Sequence, residues 1–176
     1  LALGIAANTV MFSVFDAMFL RPLPFQEADR LASITGRHAE TGRRVKYTLP
    51  GPMTMVDTLF DAHYRSREKL AWAFAEILNE EARAIEATGV DVIQFDEPAF
   101  NVYFDEVRDW GVRTLERAAQ GLSCTTAVHI CYGYGIKANV EWKKTLGGEW
   151  RQYAEIFPAL AKSRIDQVSL ECIHSK

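Results

Sequence analysis

The sequence is poor in cysteine, histidine and proline: it has 3 Cys, 4 His and 6 Pro among 176 residues. Thiols at Cys124, Cys131 and Cys172 are too few and too unevenly spaced for a disulfide framework, and they fit the reduced thiols of a cytosolic protein. A surplus of positive charge is also missing. Lys and Arg number 20 against 23 Asp and Glu, for a net charge of −3. No basic stripe marks a nucleic-acid partner, so nucleic acid is not expected. Gly133 and Gly135 lack the lysine and the spacing of a phosphate-binding loop. A clean apolar run of bilayer length is absent too. Residues 1–20 are mostly apolar, but Asn8, Thr9, Ser13 and Asp16 interrupt them. No basic region precedes them, and Arg21-Pro22-Leu23-Pro24 is not a small-residue cleavage site, so they are not a clean signal peptide. A buried or amphipathic helix, part of a membrane helix and a truncated targeting segment all remain open for this stretch.

What is present belongs to a globular protein. Hydrophobic residues make up 48% and charged residues 24%, in a length that suits one domain with a sizeable core. Pro22 and Pro24 stop any initial helix. Residues 26–46 are polar and read as a linker or junction. Beyond it, four short apolar runs read as strands: Val45–Leu49, Val90–Phe95, Thr125–Cys131 and Gln167–Cys172. Such runs suit strands covered on both faces. Helical spacing of apolar residues predicts helices over Ser66–Ala87, with Ser66 as N-cap, and Tyr103–Gln120, with Asn101 as N-cap and Gly121 as the stop. A third helix is expected over Glu149–Lys162, bent or restarted at Pro158. The alternation β-α-β-α-β-α-β is that of an α/β fold with a parallel sheet.

In such folds, sites collect at the carboxyl ends of the strands, and each candidate strand here ends in notable residues. The first runs into Leu49-Pro50-Gly51-Pro52-Met53-Thr54, the second into Asp96-Glu97, the third into His129-Ile130-Cys131-Tyr132 and the fourth into Glu171-Cys172. His129 and Cys131, two apart on a strand, share one face. Imidazole and thiolate are good zinc ligands, and Glu171 could add an oxygen, but a buried His beside a buried Cys is equally a core pair. Asp96 and Glu97 point oppositely. Either one accepts hydrogen bonds from a substrate ammonium, or the pair caps the helix after Pro98. His63 reads as a surface residue, His174 as solvated, Cys172 as a core thiol facing away from Glu171, and Cys124 as structural. Trp142-Lys143-Lys144 reads as a solvated loop.

The motifs Lys46-Tyr-Thr-Leu-Pro-Gly-Pro-Met-Thr54, Val92-Ile-Gln-Phe-Asp-Glu-Pro-Ala99, His129-Ile-Cys-Tyr-Gly-Tyr-Gly135 and Val168-Ser-Leu-Glu-Cys172, in this order and spacing, resemble the catalytic barrel of cobalamin-independent methionine synthase from about Arg43 onward. The resemblance implies a partial (β/α)8 TIM barrel of about four β-α units, occupying residues 45–176 after a junction at 35–44. It implies a zinc ion that activates homocysteine as a thiolate, and a methyl group delivered from 5-methyltetrahydrofolate or a related donor, in the cytoplasm. It makes His129, Cys131 and Glu171 zinc ligands and Asp96 the carboxylate that holds the homocysteine amino group, with Glu97 beside it in the substrate site. The family's fourth ligand, a Cys on a later strand, falls beyond Lys176, and its early barrel strands are not among these motifs. Residues 1–34 instead resemble the start of an FtsX-like transporter permease. The carrying residues are Ala2-Leu-Gly-Ile-Ala-Ala-Asn-Thr-Val10, Phe12-Ser-Val-Phe-Asp-Ala-Met-Phe-Leu-Arg-Pro-Leu-Pro-Phe25 and Asp29-Arg-Leu31. That resemblance implies a hydrophobic N-terminal helix and confines any membrane contact to residues 1–20. A non-catalytic chimeric fragment or a membrane-tethered metal-binding α/β module is the alternative.

Overall fold

The computed structural model describes residue 42 and residues 44–133, 137–147 and 152–172. All of them lie in the unit Thr35–Lys176, one of two into which the chain divides. The expected hydrophobic N-terminal helix and the permease-like segment fall outside the described residues, as does His174.

Four parallel strands form one sheet in the order β1-β2-β3-β4: β1 Lys46–Pro50, β2 Val92–Asp96, β3 Thr125–Ile130 and β4 Gln167–Leu170. Helices α1 Pro52–Asp57 and α2 Arg67–Glu86 join β1 to β2. After β2, a 3-10 turn Pro98–Asn101 leads to α3 Phe104–Glu106, a π-helical turn Val107–Gly111 and α4 Val112–Ala118. Helices α5 Lys137–Lys144 and α6 Gln152–Leu160 lie between β3 and β4. This is the alternation of a partial TIM barrel.

The inner strands β2 and β3 are covered on both sides, as expected, since Val92, Gln94 and Ala127 are buried as well as their alternating neighbours, whereas β1 and β4 are covered only in part. Ile93, Phe95, Val128 and Ile130 alternate onto one face and are fully buried within the apolar core that the helices share. The other face carries Lys46, Thr48, Gln94, Asp96, His129, Gln167 and Ser169, and its ends on β1 and β4 are exposed. Among the described residues β1 has a strand neighbour on one side only, a position in which Pro50 is tolerated.

Helix α2 begins as its sequence dictates, with the Ser66 hydroxyl accepting from the Lys69 amide. Its Ala71, Ala75, Leu78 and Ala82 stripe packs against the core. Gly121 follows α4 with φ +77°, as a helix-stop glycine does. Pro158 lies inside a continuous α6, so the helix does not restart there. Two local expectations fail. Asn101 does not cap a helix; its amide turns inward to the Cys131 carbonyl. Trp142-Lys143-Lys144 is no loop but the end of α5, where Trp142 packs on Tyr132 at 6.1 Å between rings and Lys143 Nζ donates to the Gly133 carbonyl.

Candidate active site at the carboxyl end of the sheet

Register decides which side chains meet. Asp96 pairs with His129 and His129 pairs with Ser169, so three polar residues from three neighbouring strands stand side by side at one level. Cys131 follows one step further along the same face of the third strand. Asp96, His129 and Cys131 line one cavity of about 380 Å³, walled by Thr48, Leu49, Pro50, Thr54 and Pro98. The structure therefore brings together three of the residues singled out in the sequence.

Each is held by neighbours. Asp96 Oδ1 accepts from Gln94 Nε2 at 2.8 Å, and Gln94 Oε1 accepts from Lys46 Nζ at 2.7 Å, a polar row along one face of β1 and β2. His129 Nδ1 lies 3.1 Å from Ser169 Oγ. That contact fixes the ring and leaves Nε2 for the cavity. Burial raises the Cys131 thiol pKa above its ordinary value, and the nearby charges of Glu171 and Asp96 add to the rise. Gly133, at φ +74°, makes the turn that ends this segment, a conformation that L side chains resist.

Glu171 sits at the end of the fourth strand as expected, but its Oε2 accepts the Tyr132 amide at 3.0 Å. Among the described residues, no group of three His, Cys, Asp or Glu side chains is disposed to hold a metal. The donor set fits zinc in kind, with an imidazole nitrogen, a thiol and a carboxylate at one end of two adjacent strands.

Glu97, expected beside Asp96 in the substrate site, lies inside the fold. It is 0% exposed, and its oxygens accept the Met53 amide at 3.0 Å, the Thr54 amide at 2.8 Å and the Thr54 hydroxyl at 2.7 Å. It caps α1, across the sheet, and not the helix after Pro98. Free amides at a helix start favour an anion there, but burial dominates, and with the Asp96 charge it pushes the Glu97 carboxyl up to about 7 against those three hydrogen bonds.

His63 lies in an exposed turn held by Asp61, away from the cavity. Cys172 is exposed, against the expectation of a core thiol, because β4 is an edge strand with nothing described beyond it. Cys124 is half-buried, and burial together with the neighbouring Glu86 pushes its pKa to about 11. All three cysteines are free thiols.

Sequence reasoning missed Ser169, Thr54 and Tyr153. Ser169 was within reach, since a parallel register that aligns the strand ends sets it opposite His129. Thr54 and Tyr153 act through tertiary contacts that no spacing announces. Tyr153 sits on α6 with its ring 5.3 Å from that of Tyr132, and its hydroxyl lies 2.8 Å from the Glu171 carbonyl. Burial raises its phenol pKa well above the ordinary value, so the hydroxyl stays protonated.

With this geometry in view, comparison with known proteins is direct. The family model described as cobalamin-independent synthase, catalytic domain, matches residues 18–134. The chain belongs to that family. The match starts at residue 18, inside the stretch 1–34 that resembles a permease, and the comparisons do not show the permease likeness. Methionine synthase of Sulfurisphaera tokodaii is 27% identical over 72% of this chain and 32% of its own length. That of Sulfolobus acidocaldarius is 25% identical over 73% of this chain and 32% of its own. The chain thus spans about a third of the length of the curated relatives it matches. The solved structure of a B12-independent methionine synthase from Shewanella sp. W3-18-1 in complex with selenomethionine is 71% identical, covering 77% of this chain and 40% of that one, with a TM-score of 0.73. Among the described residues, no helix is long and apolar enough to cross a membrane.

Proposed function

We propose that the carboxyl end of this sheet is part of a site that transfers a methyl group to the sulfur of homocysteine, forming methionine, with 5-methyltetrahydrofolate or a related compound as donor. The observation that carries this reading is the convergence of Asp96, His129 and Cys131 on one cavity at the ends of adjacent parallel strands, in a chain of the cobalamin-independent synthase family. His129 through Nε2, Cys131 through its sulfur and Glu171 through its carboxylate would hold a zinc ion. When bound, zinc lowers the pKa of a substrate thiol so that a thiolate exists at neutral pH. Asp96, with Oδ1 occupied by Gln94, offers its other oxygen to the substrate ammonium. Leu49, Pro50 and Pro98 supply an apolar wall that limits water at the reacting sulfur. In the transfer, the sulfur–methyl bond forms as the donor's nitrogen–methyl bond breaks. The thiol proton goes to solvent, and the donor nitrogen takes one back.

Elemental analysis of the reduced, purified chain tests the metal reading. The expected result is roughly one zinc per chain, lost on His129→Ala and on Cys131→Ser. Zinc content unchanged in both variants overturns the ligand assignment. Calorimetry with homocysteine tests the Asp96 role, and Asp96→Asn is expected to weaken binding about tenfold or more.

A second reading, a non-catalytic α/β fragment, draws on the lack of a converged three-donor group among the described residues. A zinc-free wild-type chain that also ignores homocysteine would establish it. The permease-like reading of residues 1–34 stands as a proposal. Detergent partition of the chain with and without them tests it, and equal partition sinks it. The remainder is read as cytoplasmic.

A further inference from the structure

Residues beyond Leu170 leave the regular ladder, yet Glu171 must stay in register with Cys131 if the two are to serve one ion. The last backbone bond between these segments, from the Glu171 amide to the Ile130 carbonyl, is long at 3.3 Å. Besides the Tyr132 amide on Glu171 Oε2, what holds the two segments together comes from outside the sheet. The Tyr153 hydroxyl of α6 reaches the Ile130 carbonyl at 3.1 Å and the Glu171 carbonyl at 2.8 Å, so one phenol bridges both strand ends. Asn101, 1% exposed, donates from Nδ2 to the Cys131 carbonyl at 3.0 Å. Its buried Oδ1 has no partner. The carbonyls of residues 130, 131 and 171 are thus gathered by two buried side chains from two different connections of the fold.

We propose that Tyr153 and Asn101 form a clasp that positions Cys131 and Glu171 relative to one another, with Tyr153 as the principal positioning residue for the metal site. This rests on the zinc reading above. A phenol has a single proton to share between two carbonyls. The Asn101 amide holds the neighbouring Cys131 carbonyl on its own. Neither side chain lines the cavity, so the effect on the ion is indirect, through where the two ligand-bearing segments stand.

The test uses the full chain and Tyr153→Phe, which keeps the ring against Tyr132 and Phe157 and deletes the hydroxyl. Two measurements are made. Zinc affinity is measured by chelator competition, with the visible spectrum of the cobalt(II)-loaded protein as a signature of thiolate ligation. Amide hydrogen exchange without metal is followed at Tyr132 and Glu171 and, for comparison, in β1 and β2. The expected result is at least about a tenfold loss of zinc affinity, a changed cobalt spectrum and faster exchange confined to Tyr132 and Glu171. Asn101→Asp, which removes the amide donor, should weaken affinity in the same direction. Wild-type affinity, spectrum and exchange in Tyr153→Phe overturn the clasp. Faster exchange throughout β1 and β2 also overturns it, because the hydroxyl would then be a general stabiliser. A wild-type chain that takes up no zinc overturns the metal reading alone, and the exchange data still decide the clasp.

Discussion

Gly51 and Glu97 compete for the same space: a Cβ built on Gly51 would fall 2.2 Å from Glu97 Cδ. The glycine is required by close approach, since its φ of −82° suits any residue. Through that gap the Glu97 carboxylate reaches the first amides of α1 and fixes the turn that carries Thr54 to the cavity wall.

Gly51→Ala is therefore expected to destabilise the fold by about 1–3 kcal/mol through overpacking, read from urea unfolding midpoints. The cost should shrink in a Glu97→Ala background, because the clash is with that side chain. Additive costs in the double variant would count against the account.

Glu97 should also give stability a pH dependence. Its folded-state pKa, about 7, exceeds the ordinary value of 4.5, so between these values the folded state binds more protons than the unfolded one. Stability is then greatest below about pH 4.5 as far as this group is concerned, and it falls as pH rises towards about 7 by an amount on the order of a few kcal/mol. Glu97→Gln should flatten the slope of unfolding free energy across this window. An unchanged slope would show that another group carries it.

Ser169→Ala removes the partner of His129 Nδ1. Chelator competition is expected to show zinc affinity falling about 10–100-fold with little change in unfolding midpoint.

Asn79 is a buried polar residue whose Nδ2 donates to the Ala118 and Gln120 carbonyls at the end of α4, while Arg117 donates to its Oδ1. Asn79→Leu should cost about 1–3 kcal/mol in denaturant unfolding, because those carbonyls lose their partner.

Thiol labelling should rank the cysteines. In reduced, metal-free protein at neutral pH, mass spectrometry after iodoacetamide should find Cys172 modified first. It is exposed, whereas burial raises the pKa of both Cys131 and Cys124.

Much of the fold was legible in the sequence because parallel strands and amphipathic helices announce themselves by local pattern. All four strands fall within a residue or two of their apolar runs, and Ser66 caps α2 as its spacing implies. The failures are places where a tertiary contact overrode local preference. Asn101 has the composition of a cap but is drawn to the Cys131 carbonyl. Nothing local announces that α1 opens at Pro52 with the Glu97 carboxylate satisfying its first amides. Trp142 and Lys143 look like solvated residues until Tyr132 and Gly133 are placed beside them.

The sequence by itself determined the order of elements, the placing of chemistry at strand ends and the shared face of His129 and Cys131, because strand period and strand termination are local properties. Only the tertiary structure decided that Asp96, His129 and Ser169 stand level, that Glu97 serves the fold from inside it, and that Tyr153 joins two strand ends. Those outcomes depend on register and on the packing of helices against the sheet, which bring together residues tens of positions apart that no local pattern links.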